Sequence, residues 1–410
     1  MEKIINSIRH GIAGNMILNI VSGAISIVVL QLIILPYLGK AMDESSYGLL
    51  ITILALLNVI PATLGNSLNN IRLLYQNRYE EENLEGDFSI MFIFEAIITW
   101  ITVIGFSIYY FNQAESASDV ILHLFMLGIL SVVWIAREYL IVAFLLKLDY
   151  KKIFINNCLL ACGYFLGVIL FQFIKYWEII YIAGYLASLT YIFKKTEIWH
   201  EELTKTRLFP IVLKENVIYI VASLLHRITS YADKMLLYPM IGGAEISVYH
   251  VATLSSKVIT LIITPISGVM LSYLSRVRNS DANRSFRTVY ILGIGVCITG
   301  YFVCLIASRP LLWILYPQYV ERAMEYVPIT TATVVIAVLI SLINPYVLRF
   351  LTMKWQVVIN FATVIVYVLV GLMLLKTNGL AGFCFGCMIA NMAKLLIMTL
   401  IYLFAKKRTE

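Results

Sequence analysis

Charge is scarce in this sequence. Of its 410 residues, 13% are charged and 60% are hydrophobic, and the mean hydropathy is +0.86. Soluble domains carry about 25% charged residues, so a chain this poor in polar groups cannot cover a water-exposed surface. That excludes a soluble globular domain and leaves a polytopic membrane protein, all-α in class. No loop between the apolar runs is large, and nothing matches a nucleotide-binding phosphate loop, which argues against ATP-driven work within this chain. The six cysteines all sit inside apolar segments. Cys384 and Cys387 have redox-like spacing, but no second pair and no nearby histidine, so all six read as small packing residues and no metal or other cofactor is expected. The apolar run 11–38 is far longer than the roughly 7–15 residues of a signal-peptide core, and no A-x-A cleavage site follows it. It is expected to remain as a first helix.

What is present is a succession of apolar runs. A spanning helix needs about 20 mainly apolar residues. Twelve runs qualify: 11–38, 47–69, 88–111, 120–146, 153–174, 178–193, 211–238, 246–274, 288–308, 327–348, 355–375 and 379–404. The net charge of +7 suggests nucleic acid on a soluble chain. Here the basic residues cluster between spans, which is a topology signal, and no nucleic-acid partner is expected. With twelve spans and the N-terminus inside, twenty Lys and Arg fall in cytoplasmic segments and five in outer ones. That bias predicts cytoplasmic termini. The segment 194–210, "KKTEIWHEELTKTRLFP", reads as an amphipathic cytoplasmic linker, with Ile198, Trp199 and Leu203 at helical spacing. It divides the chain into a six-helix lobe at 1–193 and another at 211–410.

The halves echo one another. "YLGKAMDESSYGLL" follows the first span of the first half, and "MIGGAEISVYHVA" follows the first span of the second. Gly39, Ala41, Glu44 and Tyr47 correspond to Gly242, Ala244, Glu245 and Tyr249, with a small gap. Transporters are commonly built from such repeats around a central substrate site.

Charges inside spans mark function by default, because each costs about 2.5–3.5 kcal/mol to insert. The basic ones are Arg137, Lys214, Arg227, Lys234, Lys257 and Lys394; the acidic ones are Glu95, Glu138, Glu215 and Asp233. In the seventh span, Asn216, Arg227 and Lys234 fall within about 20° of one another, with Glu215, His226 and Asp233 about 100° away. This polar flank is expected to line a water-filled cavity. His250 and Lys257 share a face of the next span. Lys214, near the cytoplasmic end, is read as snorkelling. Arg137 and Glu138 are adjacent, so their side chains are expected to diverge by about 100° and to pair with other helices. Lys394 is expected to meet either an interhelical partner or a ligand. His226 and His250 read as either proton carriers or polar packing groups.

Several stretches resemble the Wzx-type polysaccharide flippases of the MOP superfamily. They are "LGKAMDESSYGLL", "AREYLIVAFLLKLDYKKIFINN", "ADKMLLYPMIGGAEISVYHVA" and "RPLLWILYPQYVERAMEYVPI". The resemblance implies two six-helix bundles around a V-shaped cavity. It also implies transfer of an undecaprenyl-diphosphate-linked oligosaccharide across the bacterial cytoplasmic membrane, by alternating access, for surface polysaccharide synthesis. Expected partners are that lipid-linked oligosaccharide, membrane lipid, a polysaccharide polymerase and assembly proteins. An anionic diphosphate suits cations, which makes Arg137, Arg227, Lys234, Lys257 and Lys394 the candidate substrate contacts. Glu138, Glu215, Asp233 and His226 are the candidates for ion coupling or charge pairing. The alternatives are a cation-coupled drug exporter, a lipid II flippase and, as an enzyme, a membrane polysaccharide polymerase or glycosyltransferase. The last requires a large outer loop that is absent, so the chain is expected not to be an enzyme.

Overall fold

A computed structural model of the chain describes residues 18, 21–114, 119–274, 282–351 and 353–404, without the side chains of 226, 229, 232, 258–274, 282, 353, 354, 356 and 357. Lys3, Arg9, Arg276, Arg278 and Lys406–Arg408, which contribute to the charge bias, lie outside the described residues. So do the side chains of His226 and Lys354.

The described residues are mostly helical, with no strand among them. Twelve helical rods can be followed: α1 (Val21–Ala41), α2 (Glu44–Glu81), α3 (Asp87–Asn112), α4 (Val120–Leu146), α5 (Tyr150–Ile174), α6 (Glu178–Lys195), α7 (209–241), α8 (243–274), α9 (Ala282–Leu315), α10 (Val320–Phe350), α11 (353–377) and α12 (380–404). The continuous runs Phe209–Leu274 and Met353–Phe404 are each divided by a glycine at positive φ. Gly242 has φ 79° and Gly379 has φ 59°, a conformation open to glycine at little cost. Each rod overlaps one of the twelve expected spans. Large apolar side chains such as Phe125, Phe173, Phe302 and Ile306 are exposed, as a hydrocarbon surround demands. The protein is a multi-pass, all-helical membrane protein.

The chain forms two compact units, Met1–Ile246 and Ser247–Glu410. The first takes in the 194–210 segment and α7. Its centre is α2, whose apolar window is 89% buried. "YGLLITILALLNV" is apolar on every side, as a helix enclosed by others must be. Beyond it α2 breaks at Ile60–Pro61, because proline has no N–H to continue the ladder. In α5, Gly163 and Gly167 face Gly184 and Ile180 of α6 so closely that neither has room for a Cβ. Small residues four apart allow this backbone approach.

In the second unit, Phe286, Tyr346 and Tyr402 form the centre of an aromatic core. The Phe286 and Tyr402 rings stack at 4.0 Å, and the Ser285 and Tyr346 hydroxyls are 2.7 Å apart.

Asp43 caps α2, its carboxylate accepting from the Ser46 N–H at 2.9 Å. Partial burial raises the Asp43 carboxyl, but the Ser46 N–H and neighbouring groups outweigh it and hold it below its ordinary value. Asp43→Ala should cost about 1 kcal/mol, read as a lower unfolding temperature, whereas Asp43→Asn should retain most of the cap. A depressed carboxylate stabilises above its unfolded-state titration and loses that contribution as pH falls through the folded value. The difference between wild type and Asp43→Ala should therefore shrink in acid.

The 194–210 segment is not a continuous helix. Its only helical turn beyond the end of α6 is Ile198–His200, and Trp199 and Leu203 are exposed. The rest is strapped to one end of the first unit by side-chain bonds. Thr206 donates from its N–H to Asp87 Oδ1 at 2.8 Å and from its hydroxyl to Oδ2 at 2.5 Å. The Tyr79 hydroxyl donates to the same carboxylate at 2.6 Å, and Arg207 pairs with Glu82 at 2.9 Å.

Candidate functional site

The polar flank of α7 is laced to α2 and α3 at three levels. Lowest is Asn216, 1% exposed. Its amide donates to Glu95 Oε1 of α3 at 2.5 Å and accepts from the Ser67 hydroxyl of α2 at 2.6 Å. Next is Arg227, half-buried, whose Nη1 donates to the Asn58 carbonyl of α2 at 3.0 Å. That carbonyl is available because the helical ladder is interrupted at Ile60–Pro61. At the third level the Tyr110 hydroxyl of α3 donates to the Met235 carbonyl at 3.1 Å.

Two of the expected charges answer each other along one helix. Lys234, 7% exposed, pairs with its neighbour Asp233 at 2.9 Å. Arg137 likewise pairs with Glu138 at 2.8 Å, which corrects the expectation that adjacency keeps those two apart. The 100° step describes where each Cβ points. An Arg side chain is long enough to fold its guanidinium back across that angle.

Arg137 also meets the interhelical partner expected of it. Its Nη2 donates to Asn157 Oδ1 of α5 at 2.5 Å, and Asn157 donates onward to the Ser22 hydroxyl of α1 at 2.8 Å. The Asn69 amide of α2 donates to the Glu138 carbonyl at 3.0 Å. Arg137 and Glu138 thus join four helices.

The remaining candidates are dispersed. Glu215 and Lys214 are exposed at the start of α7. The side chain of His226 lies outside the described residues. In the second unit, Lys257 on α8 and Lys394 on α12 are both half-buried, and His250 is 3% exposed. One turn before Lys394, the Asn391 amide donates to the Thr333 carbonyl of α10 at 3.4 Å. A groove of about 480 Å3 on α3 and α4, lined by Trp100, Phe125, Gly128 and other apolar residues, carries no charge and does not suit an anionic group.

Two buried polar clusters escaped sequence reasoning. Arg72, counted as a loop charge, is 5% exposed. Its guanidinium grips the Glu201 carboxylate through both terminal nitrogens and donates to the Tyr139 hydroxyl at 2.6 Å. Its Cζ also stands 5.1 Å over the Phe88 ring. At the other end of this unit, His123 Nδ1 lies 2.6 Å from the fully buried Glu178 carboxylate. The spacing of neither pair signals it: Arg72 and Glu201 are 129 residues apart, and His123 and Glu178 are 55 apart.

No protein-family model matches the sequence, and no curated protein sequence matches it. Solved structures do. An inward-facing multidrug resistance MATE family transporter of the MOP superfamily is similar over 94% of this chain and 98% of its own, at 11% identity and a TM-score of 0.66. The lipid II flippase MurJ, in an inward closed conformation, is similar over 94% of this chain and 86% of its own, at 14% identity and a TM-score of 0.61. The MATE transporter VcmN of Vibrio cholerae, in its bent form, is similar over 94% of each chain, at 11% identity and a TM-score of 0.54. At these identities the likeness establishes the fold: the chain has the fold shared by MATE transporters and MurJ.

Proposed function

We propose that the chain is a flippase that moves undecaprenyl-diphosphate-linked oligosaccharide units across the bacterial cytoplasmic membrane by alternating access, for surface polysaccharide synthesis. It works from two six-helix lobes, 1–193 and 211–410, with the 194–210 linker and both termini on the cytoplasmic side. Its partners are the polymerase and assembly proteins that receive the flipped unit.

The observation that carries this reading is Arg227. Among the described residues no carboxylate pairs with it, and its recorded hydrogen bond is to a backbone carbonyl. A guanidinium has five N–H donors, so most remain for a phosphate, which Arg binds through paired contacts. Arg137 and Lys234 are partly neutralised by their neighbours and rank behind it. Lys257 and Lys394 are the cations that the second unit contributes to the same task. Glu138, Glu215, Asp233 and His226 are assigned to coupling or charge pairing.

The test is translocation of a defined undecaprenyl-diphosphate oligosaccharide by protein reconstituted in vesicles. Arg227→Ala should abolish translocation, and Arg227→Lys should retain part of it, since a point charge replaces a planar fork. Unchanged translocation in Arg227→Ala sinks the assignment. The MATE likeness favours a second reading, a cation-coupled drug exporter. Accumulation of an organic cation in the same vesicles, with no movement of the oligosaccharide, selects it.

A further inference from the structure

A set of buried polar groups on α3 has no role in the reading above. Glu95 and Thr99 are four residues apart, so they lie on one helix face, while Ser107 is turned about 120° from Glu95 and lies about 18 Å further along. Thr99 and Ser107 are 0% exposed and Glu95 is 6% exposed. Oε2 of Glu95, Oγ1 of Thr99 and Oγ of Ser107 have no hydrogen-bond partner. Buried polar atoms are nearly always partnered, and an exception calls for a reason. Two of these exceptions, Glu95 Oε2 and Thr99 Oγ1, stand one turn apart on the same face and point to something that they hold.

Glu95 is the charged member of the set. Its Oε1 accepts from Asn216 of α7, and Asn216 is held in turn by Ser67 of α2. The charged groups on the surrounding helices are committed elsewhere. Arg72 of α2 binds Glu201, and Arg137 of α4 binds Glu138 and Asn157. Lys214 and Glu215 of α7 are exposed. Tyr139 of α4 is within electrostatic reach of Glu95, and its hydroxyl accepts from Arg72. Among the described residues, then, no cation is paired with the Glu95 carboxylate, and an isolated carboxylate in a membrane interior is costly.

We propose that Glu95, with Thr99 and Asn216, forms a monovalent-cation site whose occupancy holds α7 against α2 and α3. A proton on Oε2 neutralises the carboxylate. A sodium ion does the same through hard oxygen donors, the carboxylate and the Thr99 hydroxyl. In either form the neutral site keeps Glu95 as acceptor for Asn216 without an unpaired charge. Emptying it leaves a bare carboxylate between the helices and favours the separation of α7. The site is independent of what the transporter carries; only its use as the coupling site rests on the function proposed above.

The test needs no passenger. The purified chain in lipid nanodiscs is unfolded by heat from about pH 5 to about pH 9, in sodium chloride and in choline chloride. A ligand that binds the folded state raises the unfolding temperature. Wild type should lose stability toward alkaline pH in choline. If sodium restores it, sodium is the occupant; if sodium has no effect, the proton is. Glu95→Gln, permanently neutral, should lose the response in either case, and Thr99→Val should lose the sodium response. Identical responses in wild type and Glu95→Gln overturn the proposal.

A second measurement uses wild type alone. An apolar carbodiimide modifies protonated carboxyls, and mass spectrometry reads the Glu95 peptide. Modification should fall at alkaline pH or on adding sodium. Modification indifferent to both, or none at all, overturns the proposal even where Glu95→Gln does not fold. The Arg227 translocation test is unaffected by either result.

Discussion

Replacing Arg72 with Ala will free the 196–208 strap from the first unit, with a loss of about 3–5 kcal/mol. The magnitude comes from what is left behind. Arg72 is buried and binds Glu201 through two nitrogens, donates to Tyr139 and lies over the Phe88 ring. Removing it strands the Glu201 carboxylate, whose side chain is 16% exposed, and leaves a gap beside Phe88. Lys will not substitute, because a single ammonium cannot reproduce the fork or the ring contact. The local readout is limited proteolysis. Lys205 and Arg207 are exposed, but the backbone between them is fixed by Thr206 to Asp87. Trypsin should cut there slowly in wild type and much faster in Arg72→Ala. Glu201→Gln should have a smaller effect, since it keeps a hydrogen-bond acceptor. The double variant should be less than additive, as expected of residues in direct contact. Equal cleavage rates in wild type and Arg72→Ala would show that Thr206 and Arg207 hold the strap unaided.

Gly48→Ala will be nearly as damaging, although it adds one methyl group. A Cβ at Gly48 would overlap the Gly243 backbone, and a Cβ at Gly243 would overlap the Ser45 carbonyl. The obstacle is main chain on both sides, which cannot rotate away as a side chain can. The expected cost is on the order of 3 kcal/mol, the upper end for overpacking, visible as a lower unfolding temperature. Gly243→Ala should behave alike, and the two changes together should cost less than their sum. Gly105 supplies the control. It is exposed on α3 with nothing within 4 Å of a Cβ, so Gly105→Ala should be neutral or slightly stabilising. A Gly48→Ala protein as stable as Gly105→Ala would mean that this contact yields without cost.

That contact joins the two turns whose similarity was visible in the sequence. Gly48 and Ser45 belong to "DESSYG" and Gly243 to "IGGAE". Self-similarity indicates a repeat, but not that the two copies touch, so their meeting was not legible. The spans were legible because a bilayer imposes one length and one composition on every crossing. The buried line on α7 was also legible in part: the 3.6-residue period aligned Asn216 with Lys234, and both are buried. The period could not say that α2 and α3 would face that line. It also failed for Arg137 with Glu138, where side-chain reach outweighs the direction of Cβ. Arg72 was misjudged because a count of basic residues near helix ends treats each as exposed. Gly163 and Gly167 carried a usable signal, small residues four apart in an apolar run, and that spacing anticipates the close packing of α5 on α6.

Arg137 with Glu138, and Asp233 with Lys234, make their helices self-neutralising at the moment of insertion. Each pair shares one short stretch of chain, so opposite charges enter the bilayer together before any neighbouring helix is needed. Arg227 has no adjoining carboxylate. Its carbonyl partner, Asn58, lies 169 residues earlier, on a helix that synthesis, running from the N-terminus, completes long before α7 emerges. The carbonyl bared at the Ile60–Pro61 break therefore enters the membrane before the guanidinium it receives in the folded chain. The interruption in α2 thus gives this half-buried arginine a backbone acceptor in place of a carboxylate.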